Sequence, residues 1–497
     1  MGIPSYFSYI IKNHKLIITK LFHHPSNLYL DSNSIIYDVA KQLNYQDFLN
    51  IMDFENTLIL RVCEKLNHYI NTVQPTHGVF IAFDGVPPLA KMVQQRERRY
   101  KGHLTTKLSK KLGILEDKPS WPTINITPGT EFMNKLDKEI KQYFHKYIPF
   151  YKEFIISTSV EPGEGEHKLF EYIRKHSNPD HTTFIYGLDA DLIILGLNHL
   201  KYNTIYLMRE SVEFHVDNHQ ELMLLDLNKL KNELDHVMDS KLNDYILLSF
   251  FIGNDFFPKL PYINIHQKGM DVLTTLYKQV ILPKENIFDG HQINWALFKK
   301  LITSISKVEL SMFKELYKER NKFHFTSNDV SAKLNALPRI YREVEKYINP
   351  FEEGWEYRYY KKLFKVNATT TNLKKICKNY LEMFEWNIQY YSMDVPNWDT
   401  YYHFNYPPLF KDLIHFIPDS NVLLVKPAQI IPFTSTQLLA YVLPREHLDL
   451  LPNNIYEKIK NKNWYDKCDV EWSYCNFFWE SNILCNDIPI KELRSIL

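Results

Sequence analysis

Four carboxylates crowd one stretch of this chain. Between Glu161 and Leu195 the sequence reads EPGEGEHKLFEYIRKH, a short polar break, then TFIYGLDADLIIL. Glu164 and Glu166 lie in a turn that opens a helix with apolar positions Leu169, Phe170 and Ile173. Thr183 to Tyr186 reads as a buried strand that stops at Gly187 and delivers Asp189 and Asp191. Acids gathered this closely repel one another unless cations lie between them. Hard divalent ions with oxygen ligands, Mg²⁺ or Mn²⁺, are the natural fillers. Paired ions held by Asp and Glu are the usual equipment for in-line attack on a phosphodiester.

Three further acids suit the same site. Asp31 directly follows the apolar strand Asn27 to Leu30, and Asp84 follows the strand Val79 to Phe83. Asp255 lies in Gly-Asn-Asp, just past a buried helix over Asn243 to Gly253. Ser32 and Asn33, which follow Asp31, can hold a carboxylate by hydrogen bonds. Gly85 is expected to let a ligand approach the backbone beside Asp84. Two ions need about seven oxygens of this kind, with water and phosphate filling the remaining positions.

After Asp84-Gly85 comes VPPLAKMVQQRERRYKGHLTTKLSKK. The two prolines suit a helix entry. Lys91, Gln95, Arg98 and Arg99 follow at i, i+4, i+7 and i+8 and so share one helical face. From Lys91 to Lys111 there are eight Lys and Arg residues and one acid, Glu97. Guanidinium forks beside a lysine make a receptor for a terminal phosphate; the same composition also fits a solvated basic face. Aromatic side chains could grip the bases of a single strand. Tyr37 falls six residues after Asp31, and Trp398 follows Pro396 and Asn397 in a loop dense in aromatics, Tyr390 to Tyr406. Stacking contributes roughly 1–3 kcal/mol per base and tolerates any sequence; most of these aromatics also fit a core.

The elements that must position these groups can be read coarsely. Residues 1 to about 260 alternate strands (a further one at Phe154 to Thr158) with helices, the pattern of an α/β fold with a mostly parallel central sheet and helices on both faces. Ligands of such sheets bind at the carboxyl ends of the strands, and the acids other than Asp255 lie at such an end or in the turn beyond it. From about 271 to 345 the chain is helical and charged. Lys375 to Tyr391 and Gln437 to Leu443 read as further helices, and the segment after 460 gives no clear pattern.

Composition sets limits. The chain has 497 residues and a net charge of +1, so no global field attracts nucleic acid and a basic site must be local. It has 33 Tyr, 31 Phe and 14 Gly, which suits dense packing, base stacking, or the AT-rich genome of a large DNA virus. Five cysteines match no zinc motif and, being odd in number without a signal peptide, no disulfide framework. The longest apolar run, Ile246 to Gly253, is too short to span a bilayer. No targeting segment is visible, so a reducing, cytoplasmic setting is the expectation.

The chain resembles Xrn-type 5′→3′ exoribonucleases along most of its length. The matching runs are MGIPSYF, LYLDSNSII, FDGVPPLAKMVQQRERR, ITPGTEFM, EPGEGEHKLFEYIR, IYGLDADLIILGL and FFIGNDFFPKLP. In the second half they are GWEYRYYKKLF, EWNIQYYSMDVPNW, PFTSTQLLAYVLP and, more faintly, the Trp479-Glu480 segment. The resemblance implies a PIN/FEN-like nuclease core over residues 1–270, a helical connecting region over 271–345 and a second conserved region over 346–497 that completes the pocket. It implies Asp31, Asp84, Glu164, Glu166, Asp189, Asp191 and Asp255 as ligands of two Mg²⁺, with Lys91 among the catalytic residues. It implies Lys91, Gln95, Arg98 and Arg99 as a 5′-monophosphate pocket, and Tyr37 and Trp398 as stacking residues. The implied activity is processive removal of nucleoside 5′-monophosphates from single-stranded RNA by a monomer. The family usually has His where this chain has Tyr37, so stacking would survive there and a protonation role would not. A flap-type DNA nuclease shares the carboxylate architecture, and an RNA-end binder without catalysis is the reading outside the enzyme class; the latter would be marked by lost metal ligands, and none of the seven is lost.

Overall fold

The computed structural model describes residues 2–116, 118–215, 221–426, 428 and 431–496. Seven strands form one sheet: β1 (Ile18–Lys20), β2 (Asn27–Asp31), β3 (Gly78–Ala82), β4 (Glu153–Ser157), β5 (Thr182–Tyr186), β6 (Thr204–Glu210) and β7 (Leu222–Asp226). Their order is β1-β7-β6-β5-β2-β3-β4. The five strands from β6 to β4 run parallel, and β7 and β1 close one edge antiparallel. Strands β2, β3, β4 and β5 fall within a residue of the expected positions. Strands β1, β6 and β7 were not expected and widen the sheet on the β5 side.

Both faces of the sheet are buried, and each strand divides its side chains between them. Leu28 and Leu30 of β2, Val79 and Ile81 of β3, and Phe184 and Tyr186 of β5 point to one core. Tyr29, Phe80, Ala82 and Ile185 point to the other. This two-sided burial is the reason the strands read as continuous apolar runs rather than as alternating ones.

Helices fill the connections: α1 (Tyr6–Asn13), α2 (Asn33–Gln42), α3 (Ile51–Val73), α4 (Leu89–Lys111), α5 (Glu131–Phe144), α6 (Gly165–Lys175), α7 (Asp191–His199), α8 (Leu227–Met238) and α9 (Leu242–Ser249). The apolar faces of α2, α3 and α5 cover one side of the sheet. On the other side α1, α6, α7, α8 and α9 join a core that runs on to Tyr474. That shared core takes in α10 (Gly269–Val280) and α11 (Trp295–Asn321), while α12 (Val330–Ile340) packs on the Phe478–Glu480 turn; it continues through α13 (Glu343–Ile348), α14 (Trp355–Tyr359), α15 (Thr370–Ser392) and α16 (Phe410–Leu413). A third cluster joins Val86, Leu89 and Met92, at the start of α4, to α17 (Ser435–Val442) and the C-terminal segment with α18 (Asn453–Ile459) and α19 (Ile490–Arg494). Helix α17 is started by a capping box, with Thr434 and Gln437 each bonding the other's backbone N–H.

A buried ion set fastens the region beyond the sheet. Glu345 accepts from Arg320 at 2.7 Å and Arg342 at 2.7 Å, and Arg320 donates on to the carbonyl of Cys475 at 3.0 Å. The last residues pair as a hairpin of β8 (Cys468–Glu471) and β9 (Asn482–Cys485). Among the described residues no helix is long and apolar enough to cross a membrane.

Candidate active site

The strand order reverses beside β2, whose neighbours are β5 and β3. A cleft at the carboxyl ends of the strands is built into such a topology. Asp31 is the last residue of β2, Asp84 lies two residues beyond β3, and Asp189 and Asp191 follow β5, with Asp191 opening α7. Glu164 is the N-cap residue of α6, and Glu166 is in its first turn. Asp255 lies in the loop after α9. The structure therefore gathers all seven carboxylates. Asp31 feels the charges of Asp84, Asp189 and Glu164, Glu166 those of Asp189, Glu164 and Asp191, and Asp191 that of Asp255.

Specific contacts fix Asp84, Asp191 and Asp255. The backbone N–H of Gly165 donates to Asp84 Oδ1 at 2.7 Å, and Asn33 Nδ2 donates to Asp84 Oδ2 at 2.7 Å. The Asp84 N–H donates back to Asn33 Oδ1 at 3.1 Å. Asn33 thus holds a carboxylate, as expected, and the one it holds is Asp84, because α2 turns its first side chain toward β3. Ser32 instead donates to the Leu30 carbonyl at 3.1 Å. Ile3 N–H donates to Asp191 Oδ1 at 3.1 Å, and Gly2 N–H to Asp255 Oδ1 at 3.2 Å. Gly2 has φ +57°, and a Cβ there would lie 1.8 Å from Asp191 Oδ1, so only glycine lets the chain approach this closely. Gly85 serves packing rather than a ligand: a Cβ there would meet the Glu161 carbonyl oxygen at 1.8 Å.

Lys91 places a side-chain cation at the centre of the acids. Its ammonium lies 2.5 Å from Glu164 Oε2 and 2.8 Å from Asp255 Oδ2. Burial would lower its pKa, but Asp255 and Glu164 outweigh burial and raise it well above the ordinary lysine value. The acids respond in kind. Burial and Asp84 raise Asp31, burial and Asp189 raise Glu166, and burial with Asp255 pushes Asp191 up to about 7. Asp255 goes the other way, because Lys91 overcomes the effect of burial. Carboxylates raised together signal too much negative charge in one place, which added cations would relieve. Glu166 Oε2 is buried without a hydrogen-bond partner among the described residues, an oxygen left over for a further cation. The residues present therefore fit hard divalent ions.

Helix α4 starts against this cluster. Lys91 and Gln95 are buried, Arg99 is half-buried and Arg98 is exposed. Arg99 donates to Gln95 Oε1 at 3.1 Å and to Thr127 Oγ1 at 2.8 Å. Its pKa falls to about 10 through burial and Arg98, while Tyr37 and Asp84 act against the fall; these four groups share one electrostatic neighbourhood. Tyr37 is half-buried on α2, and Trp398 is half-buried in a turn. The Trp398 carbonyl accepts from Leu89 N–H at 2.8 Å, which ties that turn to the first residue of α4.

Family comparison agrees with this geometry. Residues 1–211 match the model described as the XRN 5′-3′ exonuclease N-terminus, and residues 235–343 and 332–465 match that of the Xrn1 helical domain. The chain belongs to the Xrn family. It is 26% identical to 5′-3′ exoribonuclease 1 of Saccharomyces cerevisiae, covering 91% of this chain and 40% of that protein. It is 28% identical to the human 5′-3′ exoribonuclease 1, covering 91% of this chain and 31% of that protein. The chain thus spans well under half the length of these relatives. Among solved structures, two complexes of the catalytic core of Rad2 with DNA substrate are similar at 15% and 13% identity. They have TM-scores of 0.34 and 0.35 and cover 67% and 87% of this chain and 84% and 99% of theirs.

Several residues of the site escaped the sequence reading. Tyr390 and Tyr391 fall where the expected helix over Lys375 to Tyr391 meets the aromatic loop, and no role at the acids was read for them; they lie in the last turn of α15 and are buried. Tyr390 donates to Glu164 Oε1, and Tyr391 donates to Asp191 Oδ2 at 2.6 Å. Trp386 stacks on Tyr390 at 4.7 Å, Phe256 closes on both rings, and Asn387 accepts from Asn254 at 3.0 Å. Arg209, wholly buried over the Phe7 ring, donates to the Asp189 carbonyl at 2.8 Å. Arg96 leaves the basic face altogether. It donates to the carbonyls of Asn486 and Trp464, each at 2.9 Å, and lies over Tyr100 and Tyr441. A pair of tyrosines six and five residues before Pro-Asn-Trp was the available signal for the first two, and it looks like core.

Proposed function

We propose that this chain is a metal-dependent 5′→3′ exoribonuclease that removes nucleoside 5′-monophosphates processively from single-stranded RNA with a 5′-monophosphate. The observation that carries the reading is the meeting of seven carboxylates at the sheet's carboxyl edge with the buried start of a basic helix. Asp31, Asp84, Glu164, Glu166, Asp189, Asp191 and Asp255 would hold two Mg²⁺. Ions bound there would supply activation of water and stabilisation of the leaving oxygen. Lys91 adds a fixed positive charge between Glu164 and Asp255 and, one helical turn from Gln95, stands between the acids and the guanidinium groups.

Gln95, Arg98 and Arg99 are assigned to the terminal phosphate. Arg99 is already oriented by Gln95 and Thr127 and stays protonated at neutral pH, so little ordering remains to be done when a phosphate binds. Tyr37, within reach of the Arg99 charge, and Trp398, tied by its backbone to the start of α4, are assigned to the first bases. The relatives named as exoribonucleases support RNA over DNA as substrate.

One RNA labelled at its 3′ end tests this, carrying 5′-monophosphate, 5′-triphosphate or 5′-hydroxyl, in Mg²⁺ and in EDTA. Loss of full-length RNA without ladder intermediates is expected only for the monophosphate and only with metal. Internal fragments, or equal loss of all three RNAs, would overturn the end-selective reading.

A further inference from the structure

We propose that His167 gives a ring nitrogen to the metal centre beside Glu164 and Glu166, so that one position is a mixed carboxylate–imidazole site that favours Mn²⁺ over Mg²⁺. The inference rests on the reading of the acid cluster as a divalent-metal centre and adds a ligand and an ion preference to it.

Glu164, Glu166 and His167 each bring one ligand atom to a group whose members all lie within 4.8 Å of one another. Opposite ligands on a six-coordinate ion are about 4.2 Å apart. At most one pair of the three can be opposite, and neighbouring ligands are about 3 Å apart, so side-chain shifts of about 1–2 Å would close the three on one ion. The group is buried, at 4%, 5% and 9% exposure. Two of its polar atoms, Glu166 Oε2 and His167 Nε2, have no hydrogen-bond partner among the described residues. A buried imidazole nitrogen without a partner loses its hydration and gains nothing in exchange, at a cost in free energy. An ion would remove that cost.

The ring is also held in place. Its centroid lies 3.7 Å from that of Tyr390, whose hydroxyl donates to Glu164. One contact therefore orients both the imidazole and the neighbouring carboxylate. Mg²⁺ is a hard ion that takes oxygen almost exclusively, whereas Mn²⁺, although it too prefers oxygen, accepts an imidazole nitrogen more readily. A nitrogen ligand shifts the balance toward Mn²⁺ without excluding Mg²⁺ from the all-oxygen remainder of the cluster.

Pulsed electron paramagnetic resonance of the whole chain loaded with Mn²⁺ tests this directly. Nitrogen modulation from the ion is expected, and it should change when the chain carries isotopically labelled histidine. In His167→Gln the modulation should disappear. The ratio of Mn²⁺ to Mg²⁺ affinities, read by competition, should fall by about tenfold. Mn²⁺ bound without histidine modulation would overturn the inference and leave the carboxylate centre standing, with His167 as packing for Tyr390. No Mn²⁺ bound at all would overturn both. The labelling measurement uses the native chain, so it decides even if the variant fails to fold.

Discussion

The carboxyl edge of the sheet and the last turn of α15 face each other across a few side chains, and they do opposite jobs. The edge gathers negative charge. Asp31, Asp84 and Asp189 are carried on or just past strands paired on both sides, so their backbones cannot retreat from one another. The helix end supplies hydrogen-bond donors set in an apolar wall of Trp386, Phe256 and Phe250. Tyr390 reaches Glu164 across 226 residues of chain, and Tyr391 reaches Asp191 across 200. The difference teaches that one region concentrates charge and another, distant in sequence, decides where each oxygen points. Outer partners of this kind commonly change metal affinity by 10–100-fold.

Removing charge from the edge should have the largest effect. Asp189→Ala with Asp191→Ala should slow RNA hydrolysis by about a thousandfold or more, the loss of roughly 4 kcal/mol of transition-state stabilisation. Binding of the same RNA, followed by fluorescence anisotropy, should stay measurable. Retained turnover would remove this pair from the reacting centre. The donor side comes next. Tyr391→Phe keeps the ring and deletes only the hydroxyl that meets Asp191, so Mn²⁺ binding by calorimetry should weaken about 10–100-fold. An unchanged affinity would mean that the backbone N–H of Ile3 alone suffices to place Asp191.

These two regions were not equally legible in the sequence. Acids after apolar strands announce themselves, because an ionised side chain at a buried strand end is costly unless something uses it. The signal was clear at Asp31, Asp84, Asp189 and Asp191, and strands β2 to β5 came with it. Tyr390 and Tyr391 carry no such mark: a buried tyrosine on a helix is ordinary core, and the group that its hydroxyl meets lies too far along the chain to be read locally. Strand β7 was missed because Leu222–Asp226 runs directly into α8, whose N-cap is Asp226, so the period changes with no turn between. Strand β1 has three residues, too few for a pattern. The basic helix was half legible. Its composition pointed to a phosphate site, but only the packing of α4 against α17 and the C-terminal segment separates Arg96, which fastens that segment, from Arg99, which faces Tyr37 and Asp84.

That separation gives a smaller, sharper test. Arg99→Met keeps an apolar stem of similar length and removes the fork. The rate advantage of 5′-monophosphate over 5′-hydroxyl RNA should narrow by about tenfold, the value of one charge-assisted hydrogen bond to phosphate. Arg96→Met should leave that ratio unchanged and lower the melting temperature instead, since the buried Trp464 carbonyl loses its donor, at about 1–3 kcal/mol, and the half-buried Asn486 carbonyl loses one at a smaller cost. If Arg96→Met alters end selection while Arg99→Met does not, the two arginines have been assigned the wrong way round.

The smallest expected effect concerns the side of the site that the second half offers to the bases. Trp398 is tied to Leu89 through its carbonyl, so Trp398→Ala keeps the backbone anchor and deletes only the ring. Losing one stacked base at the low end of the stacking range, about 1 kcal/mol, should shorten the run of nucleotides removed per encounter by about fivefold. Initial cleavage of a short 5′-monophosphate RNA should change less, because the phosphate contacts remain. The measurement is a single-encounter digest of unstructured RNA in the presence of a competitor trap. A shorter run with Tyr391→Phe kept as a control that binds less metal would separate grip on the strand from placement of the acids. An unchanged run would leave Trp398 as part of the wall beside Trp386, whose indole donates to the Asn397 carbonyl at 2.7 Å, and would assign the hold on the bases to Tyr37 alone.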